Sequence, residues 1–150
     1  MSPVGRWWPV LACAIAISLF STHLFTADNT GRFILPILHR LFPRASRPTL
    51  FFMHFVIRKC AHFTEYFLFS LLLLRAFRGD HEELSLPWII AAIAVVAGYA
   101  ALDEFHQSFV PGRTAEVSDV LLDTLSGVAA QVAAALAEWW AEMRQGEPNG

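Results

Sequence analysis

The sequence predicts an all-α integral membrane protein, a four-helix bundle with a short interfacial helix between spans one and two. Three observations point there. First, 55% of the 150 residues are apolar and 16% are charged, against about 25% charged in an average soluble domain. Mean hydropathy is +0.46, and a soluble domain of this size would need more polar cover. Second, the chain holds several uncharged stretches close to the roughly 20 residues that cross a bilayer core. Third, the tryptophans start or end spans in a way that brings all of them to one membrane face, as an interfacial aromatic belt requires. The same composition excludes a disordered chain. A net charge of −2 without a basic stripe excludes nucleic acid as a partner. The length fits one domain, residues 1–150.

Span one covers about residues 7–26, since Trp7 to Thr26 carries no formal charge. Arg6 ahead of an apolar run also suits a signal peptide. However, His23, Phe25 and Asp28 stand where a cleavage site needs small residues, so the run is read as a retained span. The connection opens on the turn-forming Asp28-Asn29-Thr30-Gly31. Phe33 to Phe42 then mixes apolar residues with His39 and Arg40, the pattern of a helix lying on the membrane surface. Span two, about 50–77, is apolar in its second half and carries Arg58, Lys59, His62 and Glu65 in its first. Arg75 and Arg78 can snorkel at its far end. Span three, about 87–109, starts at Pro87, tolerated in a first helical turn, and runs on through Asp103 to Gln107 before Pro111-Gly112 stops it. Span four, about 116–140, begins with acids where the helix dipole favours them. Residues 143–150 are expected to form a mobile tail. Ser126, Ala129, Ala130, Ala133, Ala134 and Ala137 give span four a small-residue face suited to close helix approach. Cys13 and Cys60 show no CxxC and are expected to be buried thiols. His23, His39, His54 and His81 are expected to be interfacial or exposed.

The charges inside the spans are not scattered. At helical periodicity Arg58, His62, Glu65 and Phe69 share one face of span two. Asp103 and Gln107 share a face of span three with Glu104 beside them, and Glu116, Asp119, Asp123 and Ser126 form a stripe on span four. An up-down bundle brings these stripes to one end. His62 lies roughly 20 Å along the helix from Arg75, which submerges it in a core of about 30 Å. A charge at the centre of a span costs roughly 2.5–3.5 kcal/mol. Six acids (Glu65, Asp103, Glu104, Glu116, Asp119, Asp123) against three bases (Arg58, Lys59, Arg113) therefore need mutual pairing, water access or a ligand. Two readings follow, a functional pocket and a set of structural ion pairs.

Arg113 follows a rigid Pro-Gly turn; its guanidinium can grip a phosphate or carboxylate with two parallel hydrogen bonds, or pair with Glu116 or Asp119. Lys59 faces the same two alternatives. His62 and Glu65 at i, i+3 resemble half of a helical-bundle metal site, but no second Glu-x-x-His appears, and no metal is assigned. His62, Glu65, Asp103 and Glu104 are the candidates for acid and base work; His106 is a lesser one. No P-loop, nucleophile elbow or dinucleotide fingerprint is present, so no cofactor is expected. Lysine and arginine counts favour the motif end as cytoplasmic by seven to four, a bias that disappears when Arg58, Lys59 and Arg113 are set aside.

The strings Arg58-Lys59-Cys60-Ala61-His62-Phe63-Thr64-Glu65-Tyr66 and Asp103-Glu104-Phe105-His106-Gln107-Ser108-Phe109-Val110-Pro111-Gly112-Arg113, continued by Asp119, Asp123 and Gly127, resemble the VanZ-like family of bacterial membrane proteins. The resemblance covers about residues 50–134. Its combined pattern, K-x-x-H-F-x-x-Y with D-E-x-x-Q-x-x-x-P-G-R-x-x-x-x-x-D, is specific. It implies a multi-pass protein of the bacterial cytoplasmic membrane in a family named for a link to teicoplanin resistance. Many relatives carry Asn where Asp123 stands, so the resemblance assigns that charge no role. The expected function is a polar pocket at one membrane face, lined by Arg58, Lys59, His62, Glu65, Asp103, Glu104, Gln107, Arg113 and Asp119, that binds an anionic lipid or a lipid-linked envelope precursor. The alternatives are a membrane-embedded hydrolase or transferase acting on lipid phosphate, a small ion-coupled carrier, and an assembly partner without a ligand. A carrier of four spans without an inverted repeat would need to act as a homo-oligomer.

Overall fold

The computed structural model describes residues 2–81, 83–113 and 116–145, and every regular element among them is helical. α1 covers Pro3–Phe20, and a 3-10 turn at His23–Phe25 separates it from α2, Ala27–Leu41. α3 covers Arg47–Arg78, α4 Leu86–Gln107 and α5 Val117–Gln145. The boundaries follow local chemistry. Ser2, Thr26 and Ser46 each accept the backbone N–H three residues on, capping α1, α2 and α3. Proline occupies the first turn of α1, α3 and α4, where its missing N–H has no helical partner to lose. Gly79 ends α3 at φ 62°, a left-handed turn that other residues resist.

α3, α4 and α5 are each long and apolar enough to cross a membrane, and α1 qualifies only together with the segment that follows it, at a bend of 66°. The chain therefore carries three membrane-capable helices, or four if the bent pair is one span. The expected uninterrupted first span of residues 7–26 is corrected: α1 stops at Phe20, and Thr26, in an extended conformation, caps a new helix through its side chain. The expected surface helix at Phe33 to Phe42 is the second half of this longer α2. At the other terminus α5 runs to Gln145, so Met143 to Gln145 are helical; residues 146–150 of the expected tail lie outside the described residues.

α3 is the hub, with α1, α2, α4 and α5 packed against it and α4 packed on α5. Ile17, Tyr66, Phe69, Leu73, Ala92, Val96 and Ala100 form the centre. The Tyr99 hydroxyl donates to the Ala14 carbonyl at 2.7 Å, tying α4 to α1. Outward faces are apolar, with Leu11, Ile15, Leu19, Leu68, Ile90, Leu102, Leu125 and Leu136 all exposed. Ser70, Ser126, Asp123 and Gln131 are buried instead. An outward face this apolar, with polar groups drawn inward beside the apolar centre, suits lipid as the solvent. Arg6 pairs with Asp80, Arg78 with Glu138 at 2.7 Å, and Trp7 sits edge-on to Phe77 at 5.4 Å. These contacts join the start of α1 to the ends of α3 and α5, so α3 and α5 run parallel to each other and antiparallel to α1, which gathers the polar stripes at the opposite end.

The small-residue face of α5 is realised in part: Ser126 and Ala130 are fully buried, while Ala133 and Ala137 point outward. Beside them the Ser70 hydroxyl donates to the Gly127 carbonyl at 3.0 Å, and Gln131 donates to the Ser70 carbonyl and hydroxyl at 3.0 and 2.8 Å. A Cβ on Gly127 would fall 2.7 Å from Cγ1 of Val96. Val96 is β-branched and stiff, so Gly127→Ala is expected to destabilise the protein in detergent by about 1–3 kcal/mol. The double variant with Val96→Ala should recover most of that loss, which thermal unfolding of the three proteins checks.

Candidate functional site

The polar end is built from the end of α1, the first half of α3, the end of α4, the α4–α5 connection and the start of α5. The expected pocket residues Arg58, Lys59, His62, Glu65, Asp103, Glu104, Gln107, Arg113 and Asp119 lie there, but they divide into separate contacts. Lys59 pairs with Asp119, and Glu116 Oε2 stands 3.9 Å from its Nζ. Asp103 Oδ2 accepts from the Ser21 hydroxyl at 2.7 Å and from Gln107 Nε2 at 2.8 Å; all three side chains are buried. Glu104 accepts the Glu116 backbone N–H, which holds the start of α5 against the end of α4. His62 Nδ1 lies 3.6 Å from Asp123 Oδ2, and both side chains are largely shielded.

The arginines behave differently. Arg58 Nη1 donates to the Phe25 carbonyl at 2.8 Å and to the Thr30 hydroxyl at 3.3 Å. Arg113 Nη2 donates to the Phe20 carbonyl at 2.6 Å and to the same Phe25 carbonyl at 3.2 Å. Two guanidinium nitrogens that share one acceptor are at most about 6 Å apart, close enough for like charges to repel appreciably. Neither arginine makes an ion pair with a carboxylate among the described residues. Burial, and then the Arg58 charge, lower the pKa of Arg113 from the usual arginine value; the guanidinium nonetheless stays charged at neutral pH.

Both arginines line a cavity of about 250 Å³ whose wall also includes Phe20, Ile34, Ile57, His62 and Glu65. A second cavity, of about 200 Å³, lies against the same arginines and His62, on the side of Lys59 and Asp119. Arg58, His62 and Arg113 thus border both. Among the described residues no group of three or more His, Cys, Asp or Glu side chains is placed to hold a metal ion.

Several expectations are corrected by this geometry. Arg113 pairs with neither Glu116 nor Asp119, because Lys59 takes both; it turns instead to carbonyls at the end of α1. His62 faces Asp123 across the α3–α5 contact and not Glu65 on its own helix. His54 is buried, with Nε2 3.1 Å from the Thr30 hydroxyl. Cys60 is exposed on α3 and Cys13 is only half-buried. Ser21, Thr30 and the carbonyls of Phe20 and Phe25 escaped the sequence reading. Ser21 and Thr30 flank the break after α1, and the polar cluster at that break was the one available signal.

The VanZ/LLP1 family model matches residues 7–138, which takes in α1 and α2 as well as both motifs. No curated protein matches the chain, and no solved structure does.

Proposed function

The chain belongs to the VanZ/LLP1 family, and from that premise we propose that its polar end is a membrane-embedded site for the phosphate of an anionic lipid or a lipid-linked envelope precursor. One observation carries the reading: Arg58 and Arg113 converge on the Phe25 carbonyl, and among the described residues neither makes a direct ion pair with a carboxylate. A pair of guanidiniums held together inside a cavity is stabilised by an anion, and the fork geometry of arginine matches phosphate oxygens. The walls contributed by Phe20, Ile34 and Ile57 suit the first carbons of a lipid chain. Four spans in a bundle of the bacterial cytoplasmic membrane, with α2 lying along the interface, complete the proposal; exposed Phe33, Ile37 and Leu41 on α2 support its placement. A link to glycopeptide resistance would follow if the bound molecule is an envelope precursor. The binding test compares phosphatidic acid with diacylglycerol of the same chains. Only the phosphate-bearing lipid should raise the unfolding temperature of the purified protein, and equal effects would remove the phosphate from the account.

The topology has its own test. Reporter fusions at Arg6, after Gly79 and after Gln145 are expected on one side of the membrane and a fusion after Ser46 on the other. Arg6 and Ser46 on the same side would end the four-span arrangement.

A second reading, a hydrolase or transferase acting on lipid phosphate, is favoured by the His62–Asp123 contact beside the cavity. A carboxylate that orients an imidazole is the usual arrangement for general base work. Turnover of a phosphate-labelled lipid, lost in His62→Asn, would select this reading over binding alone.

A further inference from the structure

We propose that the phosphate recognised by Arg58 and Arg113 carries a primary ammonium group a few bonds away, and that Glu65 receives it. The inference rests on the phosphate reading and makes the headgroup in that same cavity zwitterionic where the broader reading has it anionic. Of the two cavities that both arginines border, the one of about 250 Å³ has Glu65 as its one lining carboxylate among the described residues. Five other acids at this end have partners: Asp103 takes Ser21 and Gln107, Glu104 a backbone N–H, Asp119 takes Lys59, Glu116 the Ser118 hydroxyl, and Asp123 faces His62. Among the described residues Glu65 makes no hydrogen bond and no ion pair. It is half-buried on the stretch of α3 that faces the cavity.

A carboxylate drawn part-way out of water without a donor is unfavourable, and among the described residues no side chain lining the cavity hydrogen-bonds to Glu65. The cavity wall therefore carries two cations and one carboxylate that no direct ion pair joins. A simple anionic headgroup satisfies the first and leaves the second unanswered. A phosphate ester bearing an ammonium satisfies both. Arg58 and Glu65 stand two turns apart on one face of α3, with backbone positions about 10 Å apart along the axis, and a two-carbon linker keeps phosphate oxygen and ammonium nitrogen within roughly 4 Å of each other in one ligand. The shared chemistry is that of phosphoethanolamine, free or as a lipid headgroup.

The test titrates the full-length protein in detergent with phosphatidylethanolamine, phosphatidylglycerol and phosphatidic acid of identical chains, and with free phosphoethanolamine. The expected result is that phosphatidylethanolamine binds about tenfold more tightly than phosphatidylglycerol, the size of one charge-assisted hydrogen bond. In Glu65→Gln that ratio should fall to about one. Binding of free phosphoethanolamine would support recognition of the headgroup alone; binding of the lipid without it would support the same chemistry with the chains required. Phosphatidylglycerol or phosphatidic acid binding as tightly as phosphatidylethanolamine to the parent protein, or a ratio that survives Glu65→Gln, would overturn the ammonium assignment and leave the phosphate site standing. Failure of all the phosphate-bearing ligands to bind would overturn the phosphate reading, and this inference with it. The comparison of lipids on the parent protein needs no variant to fold.

Discussion

Replacing Arg58 with methionine is expected to leave the ligand-free protein at least as stable as its parent while weakening phospholipid binding about a hundredfold. The stability half follows from what Arg58 leaves behind. The Phe25 carbonyl keeps its bond from Arg113, and the Thr30 hydroxyl keeps its contacts with the Thr26 carbonyl at 2.9 Å and with His54 at 3.1 Å. No buried acceptor is orphaned, the methionine retains much of the apolar stem, and repulsion between two guanidiniums is relieved. The binding half follows from the loss of a charged donor to phosphate, about 1.5–3 kcal/mol, which is ten- to more than a hundredfold in affinity. Opposite signs for stability and function mark a site maintained against the preference of the fold. Thermal unfolding and lipid titration of the same preparation check both halves. A loss of several kcal/mol of stability with unchanged affinity would instead make Arg58 a packing residue.

Lys59→Met is expected to do the reverse, destabilising the protein by about 3–5 kcal/mol. Lys59 joins α3 to the start of α5 through Asp119, with Glu116 nearby, and the paired side chains are only 24% and 16% exposed. Removing the ammonium leaves two carboxylates close together without a counter-charge. Asp119→Asn in the Lys59→Met background should recover much of the loss, since it removes the worse of the uncompensated charges. The double-mutant cycle in detergent, read by chemical or thermal unfolding, measures that coupling. Additive effects would show that the two side chains do not interact. By this contrast Lys59 and Arg58, neighbours in sequence and alike in charge, do different work: one holds helices together and the other is left available.

That contrast was not legible in the sequence. Periodicity put Arg58, His62 and Glu65 on one face, and composition with the apolar stretches indicated a membrane-capable all-helical chain. The two motifs indicated the family. What could not be read was the partner of each charge. Partner choice depends on how far α5 is rotated about its axis relative to α3: the same stripe of Asp119, Asp123 and Ser126 could have faced Arg113 or Glu65. The break between α1 and α2 was hidden for a related reason. Hydropathy averages across Ser21 to Thr26, whereas the chain turns there because Thr26 caps the next helix. Of the two alternatives for Arg113, pairing with Glu116 or Asp119 stayed open in the sequence, because its actual partners are backbone carbonyls at that break, which leave no trace in side-chain pattern. His54 was expected at the surface because a lone histidine near a helix start carries no sign that α2 will fold back over it.

The measurement that bears most directly on the phosphate site is native mass spectrometry of the protein released from phospholipid nanodiscs. The parent is predicted to retain one phospholipid through activation that strips the remaining lipid. The Arg58→Met/Arg113→Met double variant is predicted to lose it, with its helical content by circular dichroism unchanged. Equal retention of phospholipid by both folded proteins would contradict the assignment.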